Sequence, residues 1–110
     1  MGNVKDMKIL CLCSAGNSRS AGTRIVLTGR GKGYDVIAAG VDTNTPETIA
    51  LLSSWADKIL VAVHSMGGHV PGEHKHKIDQ VFFLGEDVWG NPLHPELHKK
   101  IKEQLDKRGL

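Results

Sequence analysis

The chain has 110 residues, of which 40% are hydrophobic and 24% charged, and its formal net charge at pH 7 is +2. These values are ordinary for a soluble protein, so we expect residues 1–110 to form a single domain around one core. The net charge is too mild to favour a nucleic-acid binder, which usually carries a concentrated basic face, so we expect no nucleic-acid partner. No apolar run has the length of a membrane span or a signal-peptide core. Two cysteines are too few for a disulfide framework, which favours a cytoplasmic protein.

The first predicted strand leads directly into a short loop of small residues. Residues 8–12 are mostly apolar, as in a buried strand of a parallel sheet. Residues 13–20, here called the Cys13 loop, are small and give way to a helical pattern over 20–31. The inner face of this helix is expected to carry Ile25, Val26 and Leu27. A loop between a strand and a helix directs several N–H groups and the positive end of the helix dipole into one concavity, which suits an anion.

The rest of the chain alternates between strands and helices. A strand is expected over 34–40, followed by a helix with Thr45 as N-cap and Pro46 at its first position. A strand over 58–63, a long loop over 64–77, a strand over 78–84 and a loop over 85–94 come next. The chain then forms a helix over 95–107, with Leu97, Ile101 and Leu105 on one face.

This order of elements predicts an α/β fold with an open parallel sheet. Right-handed crossovers give four strands in the spatial order 2-1-3-4 with helices on both faces, which is a trimmed flavodoxin-like architecture. In such sheets a ligand binds beyond the carboxyl ends of the strands, where the strand order reverses. The Cys13 loop follows the first strand at that point, so the fold and the loop predict the same site.

The side chains of the Cys13 loop supply a nucleophile and a clamp for an anion. The field of the helix N-terminus favours the thiolate form of Cys13, and Ser20 can donate a hydrogen bond to that thiolate. Arg19 carries a planar fork that holds two phosphate oxygens at once. The expected phosphate-binding residues are Ser14, Ala15, Gly16, Asn17, Ser18 and Arg19.

A cysteine, five residues, an arginine and a serine resemble the signature of the cysteine-dependent protein tyrosine phosphatases. The position of the motif after the first strand is similar to the low-molecular-weight branch, including its compact predicted bacterial members, although Gly16 and Asn17 stand one position later than in that branch. The resemblance implies a low-molecular-weight phosphatase-like fold and hydrolysis of phosphate monoesters, protein phosphotyrosine above all, through a phosphoenzyme at Cys13. It implies no cofactor, and it makes a phosphorylated protein or a small phosphate monoester the partner.

Such a reaction needs an acid that protonates the leaving oxygen. Asp42 follows the second predicted strand and Asp87 the fourth, so both are expected at the same end of the sheet as Cys13. The run Asp87-Val88-Trp89 resembles the acid loop of the low-molecular-weight branch without its proline, and we predict Asp87 as the general acid. The alternatives are Asp42 and a site without a general acid. Trp89 and His64 are the expected walls around an aromatic leaving group.

Three other interpretations share the Cys13 loop. The run Cys-Ser-Ala-Gly at 13–16 also resembles the phosphocysteine-carrying B component of a lactose- or cellobiose-type sugar phosphotransferase system, but Arg19 favours hydrolysis over storage of the phosphate. A phosphatase-like arsenate reductase needs relay cysteines, whereas Cys11 is expected to pack in the core. A module that only binds phosphate would not need Cys13, Arg19 and Ser20 together.

The long loop over 64–77 contains four of the six histidines of the chain. His69, His74 and His76 are close enough in sequence to suggest zinc. Two neutral imidazoles can bind zinc, yet a zinc site also needs a third and a fourth ligand and supporting hydrogen bonds. The same loop contains Lys75 and Lys77, and a solvated basic loop explains its composition better. We therefore predict no metal.

Overall fold

The computed structural model describes residues 7–110 of the chain. In chain order, the elements are β1 (Lys8–Cys13), α1 (Arg19–Gly29), β2 (Asp35–Gly40), α2 (Pro46–Trp55), β3 (Lys58–Val61), two 3-10 helices (His64–His69 and Gly72–Lys77) and α3 (Pro95–Asp106). Within these residues no helix is both long enough and apolar enough to cross a membrane.

The three strands form one parallel sheet in the order β2-β1-β3. The central strand β1 is buried from Ile9 to Cys13, and at its carboxyl end Cys13 pairs with Gly40 of β2. The chain crosses from β1 to β2 in one direction and from β2 to β3 in the other, so right-handed crossovers place α1 and α2 on opposite faces. Helix α3 packs against α1. The carboxyl ends of the strands thus meet at the Cys13 loop, as predicted.

The predicted fourth strand does not form in the described part of the chain, so the expected order 2-1-3-4 is wrong in its last member. Ile78 makes a single parallel bridge to Ile59 of β3, and the pairing stops there. The cause is Asp79, whose Oδ1 accepts hydrogen bonds from the N–H groups of Val81 at 2.9 Å and Phe82 at 3.0 Å. These bonds turn the chain and take both N–H groups away from the sheet edge.

The segment over 78–84 nevertheless lies along β3, in the place of a fourth strand. It returns to the sheet where the N–H groups of Leu84 and Gly85 both donate to the carbonyl oxygen of Ala62, at 2.8 and 3.1 Å. Phe82 and Leu84 point into the core and are buried. The segment therefore delivers residues 85–90, here called the Asp87 segment, to the carboxyl end of the sheet.

The helices bury the faces that hydrophobic periodicity indicates, with one exception. Leu97, Ile101 and Leu105 of α3 are fully buried, as predicted, and Thr45 caps α2 by accepting a hydrogen bond from the N–H of Thr48 at 3.2 Å. In α1, however, Ile25 is 36% exposed.

The exception follows from which residues of α1 face the sheet. The buried positions Thr23, Val26 and Leu27 lie three and four residues apart and share one face, whereas Ile25 lies on the opposite side of the helix with the exposed Arg24 and Thr28. The expectation that Ile25 belongs to the inner face is therefore wrong.

An ion pair near the C-terminus holds the turn at Asp79. The Arg108 guanidinium contacts the Asp79 carboxylate, with 2.5 Å between Nε and Oδ2, and both side chains are only 10% exposed. The guanidinium also lies 5.5 Å from the centre of the Phe82 ring. The end of the chain thus supports the segment that leads to Asp87.

Candidate active site

Cys13 is the last residue of β1, and its side chain is only 1% exposed. Its Sγ lies 3.0 Å from the hydroxyl oxygen of Ser20 and accepts a hydrogen bond from the N–H of Gly16 at 3.1 Å. Ser20 belongs to the first turn of α1, so the strand and the helix place these two side chains together. The predicted pairing of Cys13 with Ser20 is thus present, and both donors can hold a negatively charged sulfur in place.

Arg19 closes the Cys13 loop with a guanidinium that is nearly buried, at 5% exposure. Its Nη1 donates to the carbonyl oxygen of Gly85 at 2.7 Å, and its Nη2 donates to Ser14 Oγ at 3.3 Å. Its Nε is one of two buried side-chain polar atoms in the described residues that have no hydrogen-bond partner. A buried donor without a partner costs about 1–3 kcal/mol, so a hydrogen bond from this N–H group to a ligand oxygen would be favourable.

Two glycines let the Cys13 loop lie directly against the end of β2. Gly16 has φ of +80°, and a Cβ on it would lie 2.6 Å from the N atom of Gly40. A Cβ on Gly40 would lie 2.3 Å from the carbonyl carbon of Ala15. Sequence analysis did not assign a role to Gly40, although a glycine at the end of a predicted strand beside the site was the available signal.

The chain after β2 braces the other side of the Cys13 loop. The N–H of Val41 donates to the carbonyl oxygen of Cys13 and the N–H of Asp42 to that of Ser14, both at 2.8 Å. The Thr43 hydroxyl donates to the carbonyl oxygen of Ala15 at 3.2 Å. These bonds fix the backbone of the Cys13 loop against the segment that follows β2.

Asp87 reaches the Cys13 loop through a short hydrogen bond. The hydroxyl of Ser18, which is 3% exposed, donates to Asp87 Oδ2 at 2.5 Å, and Asp87 Oδ1 accepts from the N–H groups of Trp89 and Gly90. The Ser18 bond holds the pKa of Asp87 below its ordinary value; partial burial opposes this, and the two N–H groups and the charge of Arg19 add to it. The carboxyl group that sequence analysis selected thus lies beside the loop, in its ionised form at neutral pH.

The remaining candidates lie around this centre. Ala15 and Asn17 are exposed on the outer side of the loop, and the Asp42 side chain is also exposed. Trp89 is half-buried against the core. The exposed His64 ring packs against the ring of Phe83, with 5.2 Å between the ring centres, and this contact lies outside the Cys13 loop.

Cys11 is buried in the core, as expected from its place in β1. Burial raises the pKa of its thiol, the neighbouring Cys13 raises it further, and Arg24 opposes both effects. Cys11 is therefore a neutral packing residue. Among residues 7–110, no cluster of three or more His, Cys, Asp or Glu side chains could hold a metal ion.

Solved structures with this fold span nearly the whole chain. Wzb from Vibrio vulnificus, solved with benzylphosphonate, has a TM-score of 0.74 and 16% identity, and the match covers 96% of this chain and 99% of Wzb. The YwlE arginine phosphatase from Geobacillus stearothermophilus has a TM-score of 0.68 and 15% identity, covering 94% and 93% of the two chains. A low molecular weight protein tyrosine phosphatase from Bacillus subtilis has a TM-score of 0.62 and 18% identity, covering 94% and 100%.

No protein-family model and no curated protein matches the chain. At identities of 15% to 18%, the structural likeness establishes the fold and leaves the chemistry to the side chains. The predicted fold, an α/β domain like that of the low-molecular-weight phosphatases, is confirmed.

Proposed function

We propose that this protein is a cysteine-dependent phosphatase that hydrolyses phosphate monoesters, above all protein phosphotyrosine, through a phosphoenzyme at Cys13. The observation that carries the proposal is the buried guanidinium of Arg19. Two of its nitrogens are fixed by Gly85 and Ser14, while its Nε has no hydrogen-bond partner among residues 7–110. A buried cation with an unused N–H group is suited to a phosphate oxygen.

In the first step the thiolate sulfur of Cys13 attacks phosphorus. The S–P bond forms as the bond from phosphorus to the ester oxygen breaks, and protonated Asp87 gives its proton to the leaving oxygen. Because Asp87 is ionised in the free protein, the proton is acquired with the substrate, whose phosphate charge favours the protonated carboxyl group. Arg19 and the N–H groups of the Cys13 loop stabilise the charge of the transferring group.

In the second step water hydrolyses the phosphoenzyme. The carboxylate of Asp87 accepts a proton as the water oxygen bonds to phosphorus, the S–P bond breaks, and inorganic phosphate leaves. The hydroxyl of Ser20 lies 3.0 Å from the sulfur and stabilises the departing thiolate. Arg19 and Asp87 together favour this hydrolysis over the storage of phosphocysteine that a phosphotransferase component requires.

Phosphotyrosine is the preferred substrate because of the motif resemblance and because one structural neighbour is a protein tyrosine phosphatase. A second neighbour is an arginine phosphatase, so phosphoarginine is the natural comparison. A thiolate nucleophile needs a reducing environment, which supports the proposed cytoplasmic location.

The decisive experiment measures p-nitrophenol release from p-nitrophenyl phosphate, with a reductant and a metal chelator present. We expect turnover in the wild type, none in Cys13→Ser, and near wild-type turnover in Cys11→Ala, the control for loss of a thiol. No wild-type turnover, combined with stable phosphate on Cys13 after incubation with a phosphorylated carrier protein, would identify a phosphotransferase component instead. Phosphotyrosine and phosphoarginine peptides, compared by kcat/KM, then test the substrate class.

A further inference from the structure

Two adjacent residues of the Cys13 loop bind the Asp87 segment. Ser18 donates to the Asp87 carboxylate at 2.5 Å, and Arg19 donates to the carbonyl oxygen of Gly85 at 2.7 Å. Ser18 is the residue before α1 and is 3% exposed. Its hydroxyl is therefore held by the start of the helix and shielded from solvent. Ser18 and Asp87 are 69 residues apart in sequence, and Arg19 and Gly85 are 66 apart.

The hydroxyl of Ser18 is not used to cap the helix. Ser18 makes no side-chain capping bond to α1, although serine is a favoured N-cap residue. Its carbonyl oxygen accepts the N–H of Gly22 at 2.7 Å, so the backbone begins the helix while the side chain turns to Asp87. A structural role at the helix start therefore does not explain the direction of this hydroxyl.

The charge that faces the pair is the guanidinium of Arg19, which favours the ionised carboxyl group together with Ser18. The other titratable side chains at this end of the sheet or at the start of α3 are Cys13, Asp42, Glu86, His94 and His98. The two histidines are occupied, since His94 accepts from the N–H of Glu96 and His98 bonds to the carbonyl oxygen of Pro92.

We propose that Ser18 is a positioning residue for the general acid: its hydroxyl holds the Asp87 carboxyl group at the Cys13 loop and sets the pH range in which Asp87 donates its proton. This role rests on the proposed phosphatase function. A hydroxyl that donates to a carboxylate stabilises its ionised form. Loss of the hydroxyl therefore leaves Asp87 protonated to higher pH, while Asp87 also becomes less well placed.

The test combines a titration that needs no activity with a pH profile that does. The 13C resonance of the Asp87 carboxyl carbon, assigned by its disappearance in Asp87→Asn, is followed against pH in the wild type, Ser18→Ala and Ser18→Thr. Ser14→Ala is the matched control, because it removes a hydroxyl of the same loop that contacts Arg19 rather than Asp87. The pH dependence of kcat/KM on p-nitrophenyl phosphate is measured for the same proteins.

We expect the pKa of Asp87 to rise in Ser18→Ala, to return toward the wild-type value in Ser18→Thr, and to change little in Ser14→Ala. The limb of the kcat/KM profile that falls with rising pH should move upward in Ser18→Ala together with the titration. Matching backbone NMR spectra establish that the variants are folded. If Ser18→Ala does not fold, Ser18→Gly replaces it, because glycine also lacks the hydroxyl and is accepted at the residue before a helix.

Three results would count against the proposal. An unchanged Asp87 titration in Ser18→Ala shows that the hydroxyl does not act on this carboxyl group. A titration that moves while kcat/KM falls equally at all pH values shows that the hydroxyl acts on this carboxyl group without setting the pH range of catalysis. If the Asp87 titration moves in Ser18→Ala but the wild type shows no turnover, the hydrogen bond is real and the phosphatase function is wrong, so the pair has no catalytic role.

Discussion

Gly16 and Gly40 lie against each other at the carboxyl end of the sheet, with no room for a side chain on either. A Cβ on Gly16 would come within 2.6 Å of Gly40 N, and one on Gly40 would come within 2.5 Å of the Thr43 hydroxyl as well as 2.3 Å of the Ala15 carbonyl carbon. The close approach fixes where the N–H of Gly16 points, and that N–H donates to the sulfur of Cys13. The end of β2 is therefore part of the nucleophile's environment.

Replacement of Gly40 by alanine should displace the Cys13 loop. The new methyl group meets backbone atoms, which cannot move aside as a flexible side chain can. We expect kcat/KM for p-nitrophenyl phosphate to fall on the order of 10²-fold, since a displacement of about 1 Å in an active site has such an effect. The free energy of unfolding should also decrease.

Gly29→Ala is the matched control for Gly40→Ala. Gly29 ends α1, and apart from its chain neighbours and the backbone of its own helix, no heavy atom of the described residues lies within 4 Å of a Cβ built on it. Alanine there should keep kcat/KM unchanged and raise the free energy of unfolding by up to about 1 kcal/mol. Wild-type kcat/KM in Gly40→Ala would show that the loop does not depend on the contact.

Replacement of Arg19 by lysine should cost most of the activity, although the charge is kept. A lysine ammonium cannot replace the Nη1 bond to Gly85 and also offer the planar N–H pair that a phosphate takes. We expect kcat/KM to fall about 10²–10³-fold, as when one donor to a developing oxyanion is removed.

Inorganic phosphate, a competitive inhibitor of the proposed reaction, measures the same change at the level of binding. Its inhibition constant should increase in Arg19→Lys. Arg30→Lys is the control, because Arg30 pairs with Asp106 on the surface and should leave both quantities unchanged. Equal loss in the two variants would mean that the Arg19 fork has no special part.

Replacement of Asp87 by asparagine tests the general acid. The amide oxygen keeps an acceptor for Ser18 or for the N–H groups of Trp89 and Gly90, but it has no proton to donate. The rate for aryl phosphates with poor leaving groups should fall about 10²–10⁴-fold, and the rate for good leaving groups should fall much less. A series of substituted phenyl phosphates measures this dependence.

The exposed neighbour Glu86 provides the control for Asp87. Glu86→Gln removes the same charge from the same segment and should leave the leaving-group dependence unchanged. If Asp87→Asn loses the same factor on every substrate, the proton comes from another group, and Asp42→Asn becomes the next variant to measure.

The parts of the site that could be predicted from the sequence are those held by short stretches of chain. The strand, loop and helix over 8–29 are continuous in sequence, so Cys13, Arg19 and Ser20 could be assigned together. The position of Asp87 could be predicted because the segment before it lies along β3 and ends at the same edge of the sheet as Cys13, although it forms no strand. Both predictions depend on local patterns and on topology.

The missed features are contacts between distant segments. Asp79 competes with the sheet for two N–H groups, and hydrophobic alternation over 78–84 does not reveal that competition. The bonds from Ser18 to Asp87 and from Arg19 to Gly85 join residues 69 and 66 apart. No periodicity in the sequence encodes such pairs, because they depend on how the segments pack.

The Asp79–Arg108 pair should make the folded state lose stability in acid. Burial alone would raise the pKa of Asp79, but the Arg108 hydrogen bond, the N–H groups of Val81 and Phe82, and the Arg108 charge lower it to about 2. The stabilisation is therefore fully present above about pH 4 and is lost as the pH falls through about 2.

Asp79→Asn should lower the free energy of unfolding at pH 7 by on the order of 2 kcal/mol and flatten its decline below pH 4, as measured by urea denaturation at each pH. Asp106→Asn, at a carboxylate that is 67% exposed, should cost under about 1 kcal/mol; a similar loss in both variants would contradict a special role for Asp79.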